Sequence, residues 1–105
     1  MKLKKEILAE IKRRVREAEP EAKIFLYGSY ARGDANAESD IDLLILVDRD
    51  SINSKDKVDI TDPLYSLGFE TGHIFSPLVQ TKNNWESKYY FTPLYSNIKK
   101  EGKEI

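Results

Sequence analysis

Leu3, Ile7, Ile11 and Val15 recur at four-residue spacing through a stretch otherwise rich in Lys, Arg and Glu. The spacing predicts an amphipathic helix over about residues 2–18, ended by Pro20, with one apolar stripe to lay on a sheet. Ala22 to Tyr27 is a short β-branched and aromatic run ending at Gly28, read as a first strand. Ser29 to Arg32 begins a short helix, and Gly33 with Asp34-Ala35-Asn36-Ala37-Glu38 makes a turn and loop. From Asp40 to Val47 the chain enters a second strand. Beyond its two acids this strand is continuously apolar, the pattern of a strand covered on both faces.

The second half is less regular. Residues 48–54 read as loop. Over 55–68, Val58, Leu64 and Leu67 mark one helical face, but Pro63 kinks or restarts such a helix. Ile74 to Gln80 is a third strand, placed at an edge or a bulge by Pro77. A short helix follows over 83–90 around Trp85. The last helix starts at Thr92 as N-cap with Pro93 in its first turn, and Gly102 ends it. The order predicts an α/β (α+β) fold, a small mixed sheet of three or more strands covered by helices. With 105 residues and no repeat or internal boundary, residues 1–105 form a single domain with one modest core.

Composition narrows the function classes. The 40% hydrophobic and 33% charged content reads as a soluble globular chain, and no run reaches the ~20 apolar residues of a membrane span. The basic N-terminus is followed by an amphipathic pattern rather than an apolar core, so it does not read as a signal peptide, and the expected compartment is the cytoplasm. Without cysteine there are no disulfides, iron–sulfur clusters or thiolate zinc sites. The net charge of −1 hides an asymmetry: residues 1–16 hold seven basic and two acidic residues, and residues 34–70 hold ten acidic and three basic. The acidic centre repels a bare nucleic-acid backbone but tolerates a metal–nucleotide complex. The basic N-terminus reads first as a solvated helix face and second as a contact for a polyanion or acidic partner.

The chemistry concentrates between Gly28 and Val47. Asp40 and Asp42 lie two apart at the mouth of the second strand, so both carboxylates project to one face. Two adjacent carboxylates repel each other unless a cation or a shared proton lies between them. A divalent ion on oxygen ligands removes that cost. Gly28-Ser29 ends the preceding apolar run, where a tight turn aims backbone N–H groups at phosphate oxygens. His73, the single histidine, reads as structural. Trp85, Tyr89, Tyr90, Phe91 and Tyr95 read as core and partner surface rather than as a base-stacking platform.

Gly28-Ser29-Tyr30-Ala31-Arg32-Gly33, followed by Ser39-Asp40-Ile41-Asp42-Leu43-Leu44-Ile45, resembles the glycine-serine and double-aspartate signature of the DNA polymerase beta-type nucleotidyltransferases. The short chain is most similar to their minimal nucleotidyltransferases of bacteria and archaea. The resemblance implies that Asp40 and Asp42 hold one or two Mg²⁺ ions on the triphosphate of ATP or another NTP. It implies that Gly28 and Ser29 hold the outer phosphates. Arg32 is within reach of a phosphate and equally placed for solvent or an ion pair, and Ser39 either orients Asp40 or caps its loop. It further implies transfer of AMP to a hydroxyl of a macromolecular acceptor, and, through the frequent pairing of this family with HEPN-domain toxins, a tyrosine of such a partner.

One departure from the pattern stands out. The polymerase-type site commonly takes a third carboxylate from a later strand as proton acceptor and metal ligand, and Ile74-Phe75-Ser76-Pro77-Leu78-Val79 has no acid. Glu70 is the nearest candidate, and reaches the site only if the strand begins earlier than residue 74. Two other functions therefore stand beside transfer: an antitoxin-type binding module that neutralises its partner by contact, and an RNA-directed enzyme using the basic N-terminus. The sequence leaves homo-oligomerisation open.

Overall fold

The apolar run after Asp40 becomes the central strand of the molecule. In the computed structural model, which describes residues 3–105, the elements are α1 (Lys5–Ala18), β1 (Lys23–Tyr27), α2 (Ser29–Arg32), β2 (Ile41–Val47), α3 (Ser54–Thr71), β3 (Phe75–Thr81), α4 (Lys82–Ser87), α5 (Pro93–Glu101) and β4 (Lys103–Glu104). The strands form one mixed sheet in the order β3-β2-β1-β4. β1 runs antiparallel to β2 and to β4, and β2 runs parallel to β3. The expected mixed, helix-covered sheet is what forms. The predicted start of the first helix at residue 2 lies outside the described residues.

Alternation along β2 divides the core. Ile41, Leu43, Ile45 and Val47 enter one cluster with Ile11 and Val15 of α1 and Ile60, Leu64 and Leu67 of α3. Leu44 and Leu46 enter a second cluster with Trp85 of α4 and Tyr95 and Ile98 of α5. The sheet is thus covered on both faces, as the unbroken apolar run requires. Each fully buried Leu or Ile contributes roughly 1.5–3 kcal/mol. Among the described residues no helix is long and apolar enough to cross a membrane.

The ambiguous middle segment is one helix of 18 residues. Asn53 opens it with a capping box, its side chain accepting from the Asp56 N–H at 2.8 Å while Asp56 accepts from the Asn53 N–H at 3.3 Å. Pro63 is carried inside this helix without ending it, and the Pro63 carbonyl accepts from Arg14 of α1 at 2.9 Å. Pro77 does sit on an edge strand, since β3 has a neighbour on one side only. Thr92 caps α5, accepting from the Tyr95 N–H at 3.2 Å, with Pro93 in the first turn. β4 is absent from the sequence reading, because two residues carry no periodicity.

The candidate active site at the mouth of the central strand

Parallel pairing of β2 with β3 and antiparallel pairing with β1 bring three segments to one end of the sheet. Asp42 stands opposite Tyr27 on one side and Ser76 on the other. Asp40 lies just before β2 and accepts a hydrogen bond from the Ser76 hydroxyl at 3.2 Å. Asp40 is exposed and Asp42 half-buried. Burial pushes the Asp42 carboxyl above its ordinary range, and the nearby charge of Asp40 adds to the effect. Arg32 opposes the shift and Glu101 reinforces it. Burial, with the Asp42 charge second, also raises the Tyr27 hydroxyl.

Gly28 makes this geometry possible. Its φ of 73° and ψ of −156° lie in a region essentially reserved for glycine. A Cβ there would overlap the Asp42 carboxylate, with Cγ at 3.1 Å. The chain then turns into α2, where the Gly28 carbonyl accepts from the N–H groups of Ala31 and Arg32 at 3.0 Å. Ser29 therefore opens α2 immediately after the glycine that packs on Asp42.

The remaining candidates divide. The Ser39 hydroxyl accepts from the Asn36 N–H at 2.9 Å, so it caps its own loop. Arg32 is ion-paired, to Asp34 at 3.2 Å and to both oxygens of Glu101 at 3.3 Å. Glu70 does not join the site. It lies on α3 and accepts two hydrogen bonds from Arg14 of α1, at 2.9 and 3.1 Å. The condition for Glu70 fails because β3 begins at Phe75, leaving Glu70 in a helix on the far side of a turn at Gly72. His73 makes an edge contact with Tyr30, ring centres 6.3 Å apart, in keeping with a structural role.

The sequence reading missed two residues. Ser76 occupies the position in register with Asp42, and the parallel pairing that places it there cannot be seen from a run of apolar residues. Glu101, at the far end of the chain, accepts from the Gly28 N–H at 3.3 Å. Only the return of α5 over the sheet brings it there.

The residues present fit a magnesium–nucleotide group. Mg²⁺ is held by one or two carboxylates and completes its shell with water and substrate phosphates, and Asp40 and Asp42 are such a pair. Among the described residues no cluster of three or more His, Cys, Asp or Glu side chains forms a metal cage.

The nucleotidyltransferase domain family matches residues 8–104, from the first helix through the last strand. The chain belongs to this family. Within it, a Methanocaldococcus jannaschii protein with the provisional name protein adenylyltransferase MJ0141 is 39% identical over 61 residues, 57% of this chain and 60% of that protein. A second from the same organism, with the provisional name protein adenylyltransferase MJ0604, is 32% identical over 83 residues, 79% of this chain and 76% of that protein. The match thus spans less than two thirds of the first relative's length. The nucleotidyltransferase fold is also that of a toxin–antitoxin crystallised with AMP-PNP. That structure has a TM-score of 0.66 and 22% identity, over 91% of this chain and 69% of that one. A mutant of the toxin–antitoxin MntA–HpeT gives a TM-score of 0.63 and 18% identity over the same shares.

Proposed function

We propose that this nucleotidyltransferase domain transfers AMP from ATP, with Mg²⁺, to a hydroxyl of a protein partner, a tyrosine of a HEPN-domain toxin, and so acts as an antitoxin. The observation that carries the reading is Asp42 packed against the Gly28 turn at the mouth of β2, with Asp40 just before that strand. Asp40 and Asp42 would hold the metal, which when bound offsets charge on the reacting phosphorus and on the pyrophosphate leaving group. Gly28 lets the backbone approach the phosphates closely, and Ser29 lies beside it to contact them. Ser76 holds Asp40 in position through its hydroxyl. The two M. jannaschii proteins, with provisional names that specify adenylyl transfer to protein, support the choice of nucleotide and acceptor class.

Labelled ATP, Mg²⁺ and the candidate partner protein test this reading. The expected outcome is label on the partner with wild type and none with Asp42→Ala. Equal absence of label in both would overturn it.

A second reading is favoured by one observation. The residue of β3 in register with Asp42 is Ser76, and no acid lies on that strand to take the proton of an attacking hydroxyl. A domain that neutralises its partner by contact alone has no need of one, and Tyr90 and Phe91 offer exposed aromatic surface. Here Asp40→Ala leaves neutralisation intact, and Phe91→Ser weakens it.

A further inference from the structure

Glu101 ends α5, yet its carboxylate does not face solvent alone. It accepts from the Gly28 backbone N–H at 3.3 Å and from the Arg32 guanidinium through both oxygens at 3.3 Å. A backbone N–H at a glycine turn and a guanidinium are the donors that bind phosphate oxygens. Here an anion already engages them, supplied by the chain itself. It also adds a negative charge close enough to be felt by Asp42, where a triphosphate would bring more.

We infer that Glu101 is an internal stand-in for a nucleotide phosphate, and that Mg²⁺–ATP binds by displacing it from Gly28 and Arg32. The inference rests on the nucleotide-binding reading above and adds a gate to it. Three features make the displacement feasible. The Arg32–Glu101 pair lies near the surface, with Arg32 47% and Glu101 24% exposed, so water can reach both groups once they part. A cavity of about 170 Å³ lies under α5, lined by Phe25, Leu44, Trp85, Ile98 and Gly102 among others, which leaves this helix room to shift. Between Gly102 and Ile105 the chain is held by the two-residue β4, paired to Phe25 and Leu26, by the Ile105 N–H donating to the Ile24 carbonyl at 2.9 Å, and by the Ile105 side chain packed against the core. Loss of the Glu101 contact passes to this short edge strand, whose few backbone bonds make its hydrogen exchange a readout of the shift.

Calorimetric titration of Mg²⁺–ATP into wild type, Glu101→Gln and Glu101→Ala tests the gate, with amide hydrogen exchange at Ile105 as a second readout. Removing the competing charge is expected to tighten binding roughly two- to fivefold, the range for one exposed ion pair. Saturating Mg²⁺–ATP is expected to speed exchange at Ile105 in wild type. Binding by wild type that is unchanged or weakened in both variants overturns the gate and leaves the nucleotide-binding reading standing. A tenfold or greater loss would mark Glu101 as a ligand of the bound complex instead. Absence of binding in wild type and variants alike removes both. Binding by the variants where wild type shows none supports the gate in its strongest form.

Discussion

The carboxylate of Asp42 occupies the space that a side chain at Gly28 would need. Strand and turn are thereby locked to each other: the acid reaches its half-buried position because the residue facing it has no Cβ, and that residue holds a backbone conformation which only glycine adopts cheaply. The two halves of the motif are thus a single packing unit.

Gly28→Ala is accordingly expected to act twice. The backbone conformation alone costs about 1–3 kcal/mol, and the added methyl drives the Asp42 carboxylate away from the turn. Thermal unfolding should show the lower stability, and Mg²⁺–ATP titration a loss of binding larger than the stability change accounts for. A well-folded variant with wild-type nucleotide affinity would contradict the proposed geometry.

This coupling also shows what the sequence discloses and what it hides. Leu43 to Val47 is apolar at every position, so burial on both faces and a central place in the sheet are legible from pattern alone. Gly28, Ser29, Asp40 and Asp42 are legible because their spacing is local, within one strand–turn–loop–strand unit. Pro63 misleads, because tertiary packing of Ile60, Leu64 and Leu67 outweighs the local break. Glu70 misleads for a different reason. Nearness in sequence to the third strand does not bring it to the strand's mouth, and Arg14 captures it on the α1–α3 face. Glu101 and Ser76 are hidden because parallel register and the return of the last helix are set by the whole fold.

Asp42→Asn should trade function for stability. An acid whose folded-state pKa is raised favours its protonated form in the native protein, so its ionised form opposes folding above the ordinary value of 3.8. At neutral pH without metal, the variant is therefore expected to melt higher than wild type, and the difference should vanish as pH falls below that value. Addition of Mg²⁺–ATP stabilises wild type and leaves the variant unmoved. Transfer activity should fall by more than the roughly 100-fold that loss of an outer-shell partner causes.

Acid sensitivity should arise where α1 packs on α3. Arg13 and then Arg14 hold the Glu10 carboxyl down at about 2, against an ordinary 4.5, and Arg14 lowers Glu70. Lowered folded pKa values contribute stability that is present above the unfolded value and is lost as pH falls through the folded one. The melting temperature of wild type is thus expected to fall from about pH 4.5 towards pH 2. Arg14→Gln removes the bonds to Glu10, Glu70 and the Pro63 carbonyl together. It should lower the midpoint at pH 7 by several degrees and shallow the acid limb. An unchanged acid limb would show that the α1–α3 charge cluster does not control it.

Ser76 offers the sharpest test of whether the site lacks a proton acceptor. Its hydroxyl donates to Asp40, and its backbone stands in register with Asp42. Ser76→Ala removes only the positioning bond, and is expected to weaken Mg²⁺–ATP binding or transfer by roughly 10–100-fold while the melting temperature stays near wild type. Ser76→Asp does more, setting a third carboxylate at the strand mouth. Without metal the added repulsion should lower the melting temperature, and Mg²⁺ should restore it, because a divalent ion offsets the crowded charge. If the wild-type reaction is held back by the missing acid, transfer should rise towards the 10²–10⁴-fold that a general base supplies. A variant that regains its stability with Mg²⁺ yet transfers no faster shows that proton removal does not limit this site, and shifts the role of the domain towards contact with its partner.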